Sequence, residues 1–127
     1  MLYFAYGSNL NHKQMKKRCP NSRFLKRAYL KGYRFVYDGY SSYRKGAVAN
    51  IVPDSNSAVW GALWEIDEMD LKRLDEYEGY PYEYKRKMIK VRDDDEKEYE
   101  AWVYYREGKK KGNPSKQYRR ISKEVLI

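Results

Sequence analysis

The chain has 127 residues, a length that suits one domain with a real core, and its 27 Lys and Arg against 18 Asp and Glu give a formal net charge of +9. A single cysteine, Cys19, excludes an internal disulfide and, with His12 as the one histidine, argues against a zinc site. No apolar run reaches membrane-spanning length, and the N-terminus lacks a charged start followed by an apolar stretch, so a cytoplasmic protein without a membrane partner is expected.

Leu2 to Tyr6 is short, apolar and aromatic and predicts a first strand. It breaks at Gly7, which can take positive φ and turn the backbone sharply. Ser8 or Asn9 can then cap the next helix. Asn11 to Cys19 predicts a small helix, with Asn11 as its cap and Pro20 as its stop. Arg27 to Tyr37 predicts one or two strands bent at Gly32, and Asp38 to Gly46 a loop. Ala47 to Val52 and Ala58 to Ile66 predict strands, and Pro53 to Ser57 between them has hairpin-turn chemistry. Asp67 to Glu78 predicts a helix capped by Asp67 and ended by Gly79. Strands are expected over Tyr82 to Arg92 and Tyr99 to Tyr105, with a charged turn at Asp93 to Glu96. Gly108 to Asn113 predicts a basic loop, and Pro114 the first position of a final short helix. Many strands and few short helices, without repeats or a linker, predict a single α+β domain over residues 1–127, built on a curled, barrel-like sheet.

Two places carry candidate chemistry. A strand–Gly7–Ser8–Asn9–helix junction is either just a good turn or a cradle whose amide N–H groups face an anion such as a carboxylate. On the helix from Asp67, Leu71, Leu74 and Glu78 share one face, so the face toward the sheet ends in a carboxylate. Glu78 is either a frayed end residue paired with a lysine or a buried acid. In the second case the helix C-terminus and apolar surroundings would raise its pKa toward acid–base use. The two places must share one hollow for this chemistry to exist.

Ser8 lacks the glycine pattern of a hydrolase elbow, and Cys19 is read as packing at a helix end, although a nucleophile is the alternative. Tyr84, Tyr104 and Tyr118 can present hydroxyls to a ligand, the alternative reading, favoured for any single one of 15 tyrosines, being core or surface packing. Trp60 and Trp64 share a strand face with Ala62 and Ile66 and are read as core, the alternative being a stacking platform for bases. The face of Val59, Gly61, Leu63 and Glu65 is read as too weak to anchor the sheet alone.

Together these segments resemble the gamma-glutamylcyclotransferase-like family. Phe4-Ala5-Tyr6-Gly7-Ser8-Asn9-Leu10 resembles its opening signature, and Val59 to Ile66 its central strand. Leu74-Asp75-Glu76-Tyr77-Glu78-Gly79, followed by Tyr84, is similar to the segment with its catalytic glutamate, and Pro114 to Tyr118 to its tail motif. The resemblance implies a small mixed β-barrel with short flanking helices. It also implies cyclisation of a gamma-glutamyl compound to 5-oxoproline with release of an amino acid or amine.

By the same resemblance Glu78 is the general acid/base, Tyr6, Gly7, Ser8, Asn9 and Tyr84 bind substrate, Tyr118 closes the cavity, and neither metal nor organic cofactor is required. The chain reaches Ile127 soon after the tail motif, where longer members continue, and the basic stretch Lys109 to Lys111 is its own. Both differences bear on substrate choice. A gamma-glutamyl ligand-binding module without catalysis, and a basic nucleic-acid-binding protein, are the competing readings. The second finds only scattered basic groups and no recognition motif. A monomer or a homodimer is expected.

Overall fold

The computed structural model describes residues 1–41 and 46–107, the side chains of 39–41 and 46–47 excepted. Tyr118 and the expected final helix lie outside the described residues. Five strands close into a barrel: β1 (Leu2–Ala5), β2 (Arg23–Ser41), β3 (Gly46–Glu65), β4 (Lys85–Arg92) and β5 (Glu98–Tyr105), in the order β1-β3-β2-β4-β5. The β1–β5 pairing, with Tyr3 opposite Trp102, is parallel and the other contacts are antiparallel, so the barrel is mixed. Among the described residues two short helices, α1 (His12–Arg18) and α2 (Glu68–Glu78), accompany it. The architecture is α+β, as expected.

Strand alternation sends side chains to opposite faces and builds two cores. Phe4, Ala28, Leu30, Ile51, Val59, Leu63, Val91, Ala101 and Val103 pack together as the lumen. Tyr3, Ala5, Ala62, Trp64, Ile66 and Tyr104 form the outer wall, which Met15, Cys19 and Leu74 of the helical segments cover. The Val59–Gly61–Leu63 face is therefore the inside of a closed barrel, with partners all round. Gly61 permits a close approach there: a Cβ would lie 2.3 Å from the Ala5 carbonyl oxygen and 2.8 Å from the Phe4 ring.

The shared face of the tryptophans splits along its length. Trp64 is buried under the helices, whereas Trp60 lies past their reach and is 48% exposed. The Arg27 guanidinium covers the Trp60 ring at 4.7 Å and the Tyr29 ring stands 5.0 Å away. Trp60 is thus not core, in contrast to the expectation.

Pro53 to Ser57 does not reverse the chain. β3 runs through it, and both of its halves pair with β2, Lys31 opposite Ala58 and Tyr33 opposite Pro53. The intervening residues bulge out where Gly32 takes φ +86° on the facing strand. The Asp54 carboxylate closes the bulge by accepting from the Asn56 amide and the Ser57 hydroxyl. Strand pairing also extends into the expected loop at Asp38 to Gly46, with Ser41 opposite Gly46. At the other end β4 begins at Lys85 rather than Tyr82, because a turn follows α2.

The helix ends match their sequence signals. Asn11 accepts from the Gln14 amide, and Asp67 and Asp70 form a reciprocal capping box. Gly79 leaves α2 in the left-handed region at φ +69°.

Candidate active site

Beyond β1 the chain passes Tyr6 and enters a single 3-10 turn, Ser8–Leu10. The amides of Leu10 and Asn11 bond back to Gly7 and Ser8 carbonyls and close this turn, leaving the amides of Gly7, Ser8 and Asn9 outside those two bonds. Gly7 sits at φ −112°, so the turn does not use the positive φ that glycine allows. Neither Ser8 nor Asn9 caps a helix: Gly7 precedes the 3-10 turn without a side-chain cap, and Asn11 caps α1.

The Asn9 and Ser8 side chains serve another purpose. Asn9 is buried and donates to the Tyr3 hydroxyl at 3.0 Å. Its carbonyl oxygen accepts from the Arg18 guanidinium, which also reaches Ser8 Oγ at 3.2 Å and lies 3.6 Å above the Tyr77 ring. Arg18 thereby ties the turn to α1 and α2 at once. In the sequence it reads only as part of a basic run, so its partners were not legible.

α2 delivers Glu78. Asp70, Leu74 and Glu78 are its buried residues, with Leu71 packed beside them, so the helical period brings the acid inward at the last turn. That turn is fastened from the barrel side. Asp75 accepts a bidentate pair from Arg86, at 2.8 and 3.1 Å, and also the Tyr104 hydroxyl at 2.6 Å. The Arg86 guanidinium in turn lies 4.4 Å from each of the Tyr80 and Trp102 rings.

Glu78, Tyr6, Gly7, Ser8, Asn9 and Tyr84 line one narrow hollow, together with Tyr3, Phe4, Ala49 and Tyr104. Glu78 is 7% exposed within it. The Tyr84 hydroxyl donates to the Ala49 carbonyl and the Tyr6 hydroxyl to the Tyr104 carbonyl, so these two rings brace the walls. The hollow continues past Tyr6, Gly7, Ser8 and Ala49 into an outer groove of about 550 Å³.

Two further wall hydroxyls, those of Tyr3 and Tyr104, are kept protonated, first of all by burial. Burial, then the neighbouring Glu78 charge, pushes the Tyr3 phenol well above its ordinary value. Burial, then the hydrogen bond to Asp75, does the same to Tyr104. Tyr3 was not anticipated from sequence, because its hydroxyl partner arrives from the turn that the strand itself precedes. Cys19 is buried, with its thiol pushed up to about 12 by burial and the Asp70 charge, so it has no nucleophile's character. Among the described residues no group of three or more His, Cys, Asp or Glu could hold a metal ion, and no helix is long and apolar enough to cross a membrane.

The fold and site define a closed mixed barrel with a helix-borne carboxylate at the hollow beside its first strand–turn junction. The chain belongs to the gamma-glutamyl cyclotransferase, AIG2-like family, whose model matches residues 3–123. Human gamma-glutamylcyclotransferase is 32% identical over 125 residues, covering 94% of this chain and 66% of the human protein. The chain thus spans just under two thirds of that relative. The gamma-glutamylcyclotransferase family protein YtfP of Escherichia coli is 36% identical over 91 residues, 72% of this chain and 74% of YtfP. A solved structure of a gamma-glutamyl cyclotransferase superposes with TM-score 0.78 at 30% identity, covering 98% of this chain and 79% of its own.

Proposed function

We propose that the protein cyclises a gamma-glutamyl compound, releasing 5-oxoproline and an amino acid or amine. The observation that carries this reading is the buried carboxylate of Glu78 on the same hollow as the turn from Tyr6 to Asn9. Family membership supplies the reaction class.

In this reading the substrate's α-amine attacks its own γ-carbonyl carbon. A carbon–nitrogen bond forms to close the five-membered ring, and the bond from that carbon to the leaving nitrogen breaks. From the α-ammonium to the ring N–H two protons are lost, one before attack and one as the ring closes, and the departing nitrogen gains two and leaves as an ammonium, so the reaction balances without a co-reactant, metal or organic cofactor. The α-ammonium, with a pKa of roughly 8, must first lose a proton. In this reading Glu78 takes that proton and returns it to the leaving nitrogen, and relays the second one in the same way as the ring closes.

Holding the glutamyl chain folded contributes orientation, which in favourable cases lowers a barrier by about 7–11 kcal/mol. The amides of Gly7, Ser8 and Asn9 hold either the α-carboxylate or the developing oxyanion. One such donor contributes about 3–4 kcal/mol when it serves the oxyanion. Arg18 and Tyr3 keep Asn9 in place.

Glu78→Gln is expected to retain the fold and ligand binding while 5-oxoproline formation, followed by mass spectrometry over a panel of gamma-glutamyl peptides and amines, is lost. Turnover close to that of the unaltered protein would overturn the assignment of Glu78.

A further inference from the structure

We infer that the groove outside the hollow receives an apolar or aromatic leaving group, so that the preferred substrate is the gamma-glutamyl derivative of an apolar amino acid or amine rather than of a cationic one. This rests on the cyclisation reading and adds the substrate class to it. The groove shares Tyr6, Gly7, Ser8 and Ala49 with the hollow that holds Glu78. A glutamyl group whose γ-carbonyl carbon lies beside Glu78 therefore has this groove next to it for the group beyond the scissile bond.

The chemistry of the walls sets what fits. An aromatic file leads outward from the hollow: the Tyr6 and Phe35 rings meet edge-on at 6.2 Å, and Phe35 and Tyr37 at 5.2 Å. Leu10, Phe35 and Tyr37 are 43%, 38% and 56% exposed, a large apolar surface for side chains so close to a buried site. Among the described residues none that lines the groove carries a charge. Among the described residues a cation, Arg18, lies at its edge, stacked on Tyr77. An ammonium entering here would be desolvated with no carboxylate among the described residues that line the groove and would face that guanidinium, whereas an apolar side chain would cover the exposed rings.

The test compares gamma-glutamyl-phenylalanine and gamma-glutamyl-leucine with gamma-glutamyl-glycine and gamma-glutamyl-lysine. One readout is kcat/KM for 5-oxoproline. The other is calorimetric affinity for the Glu78→Gln protein, which needs no turnover. Both are expected to favour the phenylalanine and leucine compounds by about tenfold. In a Phe35→Ala/Tyr37→Ala double variant that ratio should fall toward one.

If Glu78→Gln binds with this preference while the unaltered protein forms no 5-oxoproline, the groove assignment stands and the cyclisation reading fails. Equal or absent binding of all four compounds, a preference for lysine, or a preference that survives the double variant overturns the groove assignment. So does sedimentation showing that the double variant only splits a dimer without altering the ratio, which would give the surface to a second copy of the chain.

Discussion

At the scale of single residues, the glycine that matters most to the fold is not the one in the signature turn. Gly61 faces the lumen, where a methyl group would meet the Ala5 backbone and the Phe4 ring inside van der Waals distance. Gly61→Ala should therefore cost about 1–3 kcal/mol of stability, read as a lowered midpoint in urea. Gly7→Ala is the contrast: its Cβ would meet Ala49 Cβ at 3.4 Å, an ordinary contact, so the same measurement should find little change. The sequence pointed to Gly7 through its neighbours but for a conformation the chain does not adopt there. Glu78 was legible because a helical period is local: counting from Leu71 and Leu74 is enough to place it inward. Tyr3 and Arg18 were not, because the groups they bond lie on other elements and no spacing encodes that.

At the scale of elements, α2 is a short helix whose value to the site depends on how it is seated. Leu74 is fully buried against the outer barrel wall, one turn ahead of Glu78. Leu74→Ala should cost about 2–5 kcal/mol, measured by denaturant titration, and loosen the last turn that the Asp75–Arg86 pair fastens. The ends of α2 could be read in advance because caps and stops are chemistry within a few residues. The β2–β3 pair could not. Pro, Asp, Ser and Asn in sequence suit a reversal and a bulge equally well. What selects the bulge is Gly32 on the facing strand. The tryptophans failed for a related reason. Alternation correctly put Trp60 and Trp64 on one face, but only the extent of the helical cover decides which is buried. A face judged weak in isolation becomes a core once the sheet closes on itself.

At the scale of the whole molecule, the buried ionisable groups set a pH range for stability, and its two edges have different causes. On the acid side stands Asp93 in the turn before β5. Burial works against its charge, but hydrogen bonds from the Lys97 amide, the Lys26 ammonium, the Asp95 amide and the Tyr99 hydroxyl hold its carboxyl down at about 2. A folded value below the ordinary 3.8 means that the folded chain binds the proton less readily than the unfolded one. Its contribution is complete above about pH 4 and is lost as pH falls toward 2. Asp54 and Asp67, lowered by backbone amides, act in the same direction. On the alkaline side the sign reverses. Cys19 at about 12, and Tyr3 and Tyr104 above their ordinary range, hold their protons longer when folded. Their contribution is complete below about pH 8.5, where the unfolded thiol begins to ionise, and is lost as pH rises toward the folded values. Thermal unfolding followed by circular dichroism should therefore show a plateau between about pH 4 and 8.5 with falling stability on both sides. Asp93→Asn should flatten the acid limb and leave the alkaline limb in place, and Cys19→Ala should shorten only the alkaline one. An acid limb unchanged in Asp93→Asn would mean that repulsion within a chain of net charge +9, growing as carboxylates are lost, governs acid unfolding instead. Added salt separates the two, since it screens diffuse repulsion more than the short hydrogen bonds around one buried carboxylate.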